Sequence, residues 1–239
     1  MVINDLRRFI FIHIPKNAGN SITRLLLKHF DTNAYDDIPQ HAALKWVGIN
    51  FPEKLLYKKI CFSRNPFSRM VSWWTYYRSN EKFWKDYDLA RHARDMEFNQ
   101  WLLKCIQRGR QELVPQVYFI SPMYKFEGIG TIDLHPLKYN NYIRDKFNLG
   151  ETENPSPIYL PTVDFVGRVE NLEQDMSRLF VYLGVTDNVI DITKENPSKE
   201  KVDYREQYNT ESVEIVQSIY QQDFEYFNYS YDLADSSSG

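Results

Sequence analysis

The sequence predicts an α/β fold in three layers, a central and mainly parallel sheet flanked by helices on both faces. Three observations carry that prediction. Residues 8–14 and 57–63 are short apolar, β-branched runs of the kind buried on both faces of a sheet. Each run leads into a helical signal: Ile22, Leu25, Leu26 and Phe30 recur at helical spacing after the first, and Asn65-Pro66 follows the second. No linker, repeat or low-complexity block divides the 239 residues, so one domain is expected over residues 1–239, with 230–239 as a frayed tail.

The elements follow in order. The strand at 8–14 ends at Pro15-Lys16-Asn17-Ala18-Gly19-Asn20-Ser21, and a helix starts at Ile22. Residues 31–52 are mixed and turn-rich. After the strand at 57–63, Asn65 is the expected N-cap and Pro66 the first helical residue. Residues 97–107 read as a helix and 163–166 as a third strand. Asn171 with Gln174 forms a candidate capping pair for a helix to Leu183, which Gly184 terminates. Residues 210–220 form a late amphipathic helix.

Composition narrows the class. Hydrophobic residues are 43% and charged residues 26%, which excludes a disordered or collagen-like chain and a coiled-coil rod. Two cysteines, Cys61 and Cys105, are too few for a disulfide scaffold and read as reduced thiols of a cytoplasmic protein. The apolar run before Pro15 is too short for a signal segment or a membrane span. The net charge of −3 is unevenly spread. Residues 54–110 carry thirteen Lys/Arg against five Asp/Glu, whereas residues 187–235 carry four against twelve. A basic middle suits an anionic ligand, and two solvated faces of opposite sign would give the same counts. With no nucleic-acid-binding motif and a negative total, no nucleic-acid partner is expected. No Cys/His spacing or acidic triad suggests a metal.

The residues at 15–21 have the makings of an anion cradle. A loop between a buried strand and a helix leaves backbone N–H groups unpaired, and the helix dipole adds positive potential. Lys16 supplies a full charge, Ser21 a hydroxyl, and Gly19 lets backbone approach a ligand. The order of residues is not that of a Walker A loop, in which the lysine follows the second glycine. Arg64 ends the second strand, where ligands collect in such sheets, and its guanidinium can fork onto a second phosphate. Ser72 lies two turns into the following helix, with Arg69 on nearly the same face.

With both loops in hand, the chain resembles the carbohydrate sulfotransferases that use 3′-phosphoadenosine-5′-phosphosulfate (PAPS). The resemblance is closest to the branch of heparan 2-O- and chondroitin sulfotransferases and their bacterial relatives. Residues 11–21 look like that family's 5′-phosphosulfate loop, and residues 64–72 like its 3′-phosphate element. Asp164-Phe165-Val166-Gly167-Arg168-Val169-Glu170-Asn171-Leu172, Tyr204-Arg205-Glu206-Gln207-Tyr208 and residues 220–229 resemble its later blocks, so the likeness spans about residues 8–230. Asn17 and Asn20 stand where the family usually has threonine; an asparagine amide also donates. Eukaryotic relatives carry a Golgi anchor and this chain shows none, which implies a bacterial-type, soluble cytoplasmic enzyme.

The resemblance implies a P-loop-like fold and in-line sulfuryl transfer from PAPS to a carbohydrate hydroxyl, with 3′,5′-adenosine bisphosphate (PAP) leaving. Lys16 would stabilise charge on the leaving oxygen, residues Asn17, Ala18, Gly19, Asn20 and Ser21 would hold the 5′-phosphate, and Arg64 and Ser72 the 3′-phosphate. Ser198, Lys199 and Arg205 would close over the donor. A base must take the hydroxyl proton, and histidine suits that task. His13 lies in a strand and reads as core, His29 falls late on the first helix, His92 in a charged stretch, and His135 before a proline. His41 resembles the family's base-bearing segment, with Glu112 as the carboxylate alternative. Arg108, Arg110 and Gln116 are candidates for acceptor contact. Arg168 and Glu170 are expected to order the sheet end. Two other readings remain: a P-loop-like nucleotide kinase, and a catalytically inactive nucleotide- or glycan-binding module.

Overall fold

The computed structural model describes residues 1–30, 38–84, 87–108, 111–122, 124–125, 158–185 and 202–235. Its sheet has the order β1-β2-β3-β6, formed by β1 (Val2–Asn4), β2 (Phe9–Phe11), β3 (Lys58–Ser63) and β6 (Phe165–Arg168). β1 runs antiparallel to β2, pairing Val2 with Phe11, while β2, β3 and β6 are mutually parallel. A separate two-stranded ribbon joins β4 (Tyr124–Lys125) to β5 (Ile158–Tyr159).

Strand alternation divides the apolar residues between two faces. Phe9, Phe11, Ile60, Phe62 and Phe165 pack with α1 (Gly19–His29) and α7 (Leu172–Tyr182). Ile10, Ile12, Ile14 and Cys61 face the larger core. That core is closed by α3 (Pro66–Arg78), α4 (Asp88–Asp95), α5 (Phe98–Arg108), α8 (Thr210–Ile219) and α9 (Gln221–Phe227). The expected three-layer α/β architecture with a mainly parallel sheet is therefore present.

Several boundaries differ from the sequence reading, each for a local reason. The first ladder is short, although the Ile12 amide still donates to the Ile60 carbonyl at 2.8 Å. The third strand sits two residues later than 163–166, because Gly167 lets the chain pass Phe62: a Cβ there would lie 2.4 Å from the ring. Asn171 does not cap α7; a 3₁₀ turn, Val169–Asn171, precedes the helix, and Asp175 accepts the Arg168 amide at 2.7 Å instead. Gly184 does end the helix, at φ 81°. Residues 31–52 contain α2 (Leu44–Asn50), and α4 lies in the stretch that had looked merely charged. Cys61 and Cys105 are buried thiols rather than disulfide partners.

Two features aim the fold at one place. β2 and β3 are parallel neighbours, so the segments following them leave from the same edge of the sheet. Asn65 then starts α3 there, its side chain accepting from the Phe67 amide at 2.9 Å and the Ser68 amide at 3.4 Å, with Pro66 next.

Candidate active site

Helix α1 begins earlier than the periodicity suggested, so Gly19, Asn20 and Ser21 form its first turn. Its N-cap, Ala18, is left-handed (φ 56°), makes no side-chain cap, and no acidic residue lies in the first turn. The leading amides and the positive end of the helix therefore lack a side-chain counter-charge. Lys16 is also left-handed, at φ 68°. Two consecutive-but-one non-glycine residues in that region store backbone strain, a feature that clusters at ligand-binding loops. Gly19 is required for packing: a Cβ would sit 1.9 Å from the His13 ring.

Lys16 lies in a cluster of cations. Its ammonium stands 3.8 Å from the centroid of the Tyr76 ring and 5.5 Å from that of Trp73. Burial first, then Arg64 and Arg69, push its pKa down to about 7. Arg64 joins the two loops directly: Nη1 donates to the Lys16 carbonyl at 3.1 Å, and Nε to Ser68 Oγ at 3.0 Å. Burial also lowers the Arg64 pKa, opposed by Glu170 and Tyr229. Ser72 is half-buried one turn beyond Ser68, and Ser21 is buried. A concentration of partly desolvated cations beside uncapped helix amides is suited to an anion carrying several charges.

His41 closes the third side. Its Nδ1 lies 3.1 Å from the His13 carbonyl, an acceptor, so Nδ1 carries the hydrogen and Nε2 the lone pair. The two rings meet edge-on at 4.5 Å. Desolvation lowers the His41 pKa, with the bond to His13 opposing and Lys16 and Arg69 adding to the shift. The imidazole is thus held neutral with its basic nitrogen unmasked. Gln40 fastens this segment to α1, donating to Asn20 Oδ1 at 2.7 Å. His13 itself is buried, as expected, and burial drives its pKa down to about 3.

Other expected residues fall elsewhere. Asn17 is 1% exposed and its amide nitrogen is spent inside the protein, on the Phe62 carbonyl and Gln116 Oε1, both at 2.6 Å. Its backbone N–H is engaged too, donating to the Ile14 carbonyl at 3.3 Å. Gln116, expected at an acceptor, is fully buried. Glu112, the carboxylate alternative to His41, is fully buried too, accepting from Tyr77 at 2.6 Å and Tyr87 at 2.5 Å. Burial removes both side chains from contact with a bound glycan. Arg205 lies in a 3₁₀ turn, Tyr204–Gln207, that packs on α3, with Nη1 3.6 Å from Asp203. The Arg108 side chain, Arg110, Ser198, Lys199 and His135 lie outside the described residues. His29 packs on Phe180 and His92 belongs to α4. Arg168 and Glu170 order the strand end: Glu170 accepts from the Asn65 amide at 2.8 Å, and Arg168 donates to the Phe227 carbonyl at 2.9 Å.

Sequence reasoning missed the braces. Arg69 is 1% exposed, and it donates to the carbonyls of Pro15 at 3.2 Å and Val114 at 3.0 Å. Asp223 is fully buried and accepts from the amides of Gln116 and Val117. Locally, Asp223 carries no mark and Arg69 shows only its place on the Ser72 face, since both act across long sequence separations.

The sulfotransferase family model matches residues 1–230. The chain belongs to the sulfotransferase family, and sulfuryl transfer to a hydroxyl-bearing acceptor is the general activity this membership brings. No curated protein and no experimentally solved structure shows significant similarity to the chain. Among the described residues, no helix is long and apolar enough to cross a membrane, and no group of three His, Cys, Asp or Glu is arranged to hold a metal ion.

Proposed function

We propose that this sulfotransferase, as one domain, moves a sulfuryl group from PAPS to a hydroxyl of a carbohydrate, with His41 as general base. The observation that carries the reading is the bond from Arg64 Nη1 to the Lys16 carbonyl, which brings the two anion-binding loops into contact. The donor supplies a sulfuryl group already activated by its link to phosphate. The first-turn amides of α1, with Ser21, hold the 5′-phosphate, and Lys16 neutralises charge growing on the departing phosphate oxygen. Arg64 and Ser72 hold the 3′-phosphate, the group that distinguishes this donor from ATP. His41 Nε2 accepts the proton of the attacking hydroxyl. Tyr76, half-buried beside Lys16, suits a sugar ring, as does the basic surplus of residues 54–110. Arg205, with Ser198 and Lys199, closes the donor side. The buried thiols suit a reducing cytoplasmic setting.

Ligand-dependent melting tests the donor. A ligand at a hundred times its Kd adds about 2.7 kcal/mol of stability. PAP should raise the melting temperature well beyond AMP or ATP; stabilisation by ATP with Mg²⁺ but not by PAP would establish the kinase reading instead. Sulfate transfer over a panel of polysaccharides and small alcohols tests the acceptor. His41→Ala should keep the PAP response and lose transfer by about 10²–10⁴-fold. Full turnover in that variant removes His41 as the base, and PAP binding with no transfer to any acceptor supports an inactive module.

A further inference from the structure

The buried Gln116 joins three segments that are distant in sequence. Its Oε1 accepts from Asn17 Nδ2 at 2.6 Å and from the Arg64 amide at 2.9 Å. Its Nε2 donates to the Arg64 carbonyl at 2.9 Å and to Asp223 Oδ2 at 3.3 Å. Asp223 also accepts from the amides of Gln116 at 2.8 Å and Val117 at 2.9 Å, which fixes the start of α6 (Gln116–Phe119). One primary amide thus binds the loop after β2 and the residue after β3 at once. Only a group with an acceptor and two donors at its tip can do so. A carboxylate would oppose Asp223, and an aliphatic side chain would leave buried polar atoms unpaired.

We propose that Gln116, held by Asp223, is a positioning residue that fixes the span between the two anion-binding loops. It thereby sets the preference for an adenosine nucleotide with phosphates at both 3′ and 5′ positions over one with a single phosphate. The inference rests on the donor reading above. Two phosphates on one ribose are bound together only if their two sites keep the matching separation, so the second phosphate gains from a fixed span. A single phosphate does not sense the span. Each loop also has its own anchor: Arg69 holds the Pro15 carbonyl, and the Asn65 cap with Glu170 holds the start of α3.

The test is calorimetric titration of PAP, 5′-AMP and 3′-AMP into the full-length wild type, Gln116→Met, Asn17→Ala and the double variant. If the wild type shows no preference for PAP over either monophosphate, the donor reading fails whatever Gln116 does. Given that preference, Gln116→Met should weaken PAP about tenfold or more while leaving each monophosphate within about threefold of wild type. Asn17→Ala cuts one arm of the brace and should move the same ratio by less. The double variant should change the ratio by less than the sum of the two single changes, because they share one bond while Asn17 also gives up its bond to the Phe62 carbonyl. If Gln116→Met does not fold, Asn17→Ala decides by the same ratio. A ratio of PAP to monophosphate affinity that stays at the wild-type value in folded variants overturns the proposal.

Discussion

Replacing Gly19 by alanine probes the contact between the phosphate-binding turn and the proposed base. The new Cβ would lie 1.9 Å from His13 Cδ2 and 2.1 Å from Nε2. Ordinary carbon contacts are about 3.5–4.0 Å, so about 1.5 Å must be found by moving the ring or the helix. His13 has little room: its ring meets His41 at 4.5 Å and its carbonyl accepts from His41 Nδ1. Overpacking of this kind costs about 1–3 kcal/mol, against at most about 1 kcal/mol gained from helix propensity. A net loss of up to about 3 kcal/mol lowers the melting temperature by up to roughly 6–12 °C in a chain of this size. The displaced His41 should cost about 10²-fold in kcat, since a 1 Å misplacement has that effect. Gly48→Ala is the control, because its Cβ would meet only Leu55 Cδ1, at 3.3 Å, the end of a flexible side chain. Melting curves and sulfate-transfer rates on the two variants decide the matter. If Gly19→Ala melts with Gly48→Ala and turns over like the wild type, the coupling of this turn to His41 is wrong.

Two further predictions concern protons. Lys16, held at about 7 chiefly by burial, should regain its proton when an anionic donor binds, so PAP binding at pH 7.5–8.5 should take up protons and weaken as pH rises. Calorimetry in buffers of different ionisation heat measures the uptake, which Lys16→Met should abolish; zero uptake in the wild type contradicts the assignment. In the unliganded protein the sign is opposite. The folded pKa lies below the unfolded one, so Lys16's contribution to stability rises with pH from about 7 to about 10.4. Asp223 is raised to about 6 by burial, opposed by Arg69, so its contribution is fully present below its unfolded pKa of 3.8 and is lost as pH rises through about 6. Arg69→Met removes the charge that opposes this shift and the bonds to the Pro15 and Val114 carbonyls, so it should destabilise more at pH 7 than at pH 5, where Asp223 holds a proton. Equal losses in urea melts at the two pH values would show that the Arg69 charge has no energetic weight at Asp223.

The parts of the site built from near neighbours were legible in the chain. A buried strand, a turn and a helix start are written within a few residues, and the Asn65-Pro66 cap needs only contacts two and three residues ahead. The alternation of Phe9, Phe11 with Ile10, Ile12 announces a strand covered on both faces. Local reasoning left out two features of the same turn: the nearby His13 ring also requires Gly19, and the Asn17 side-chain amide faces the core. Those choices depend on what lies across the sheet. Periodicity cannot reveal that β2 and β3 are parallel neighbours, yet this pairing brings Lys16 beside Arg64. Gln116 meets Asn17 across 99 positions, and Asp223 meets Gln116 across 107. Burial turns these ordinary polar residues into braces, because a polar group shut away from water must find its partner in whatever chain the fold places next to it.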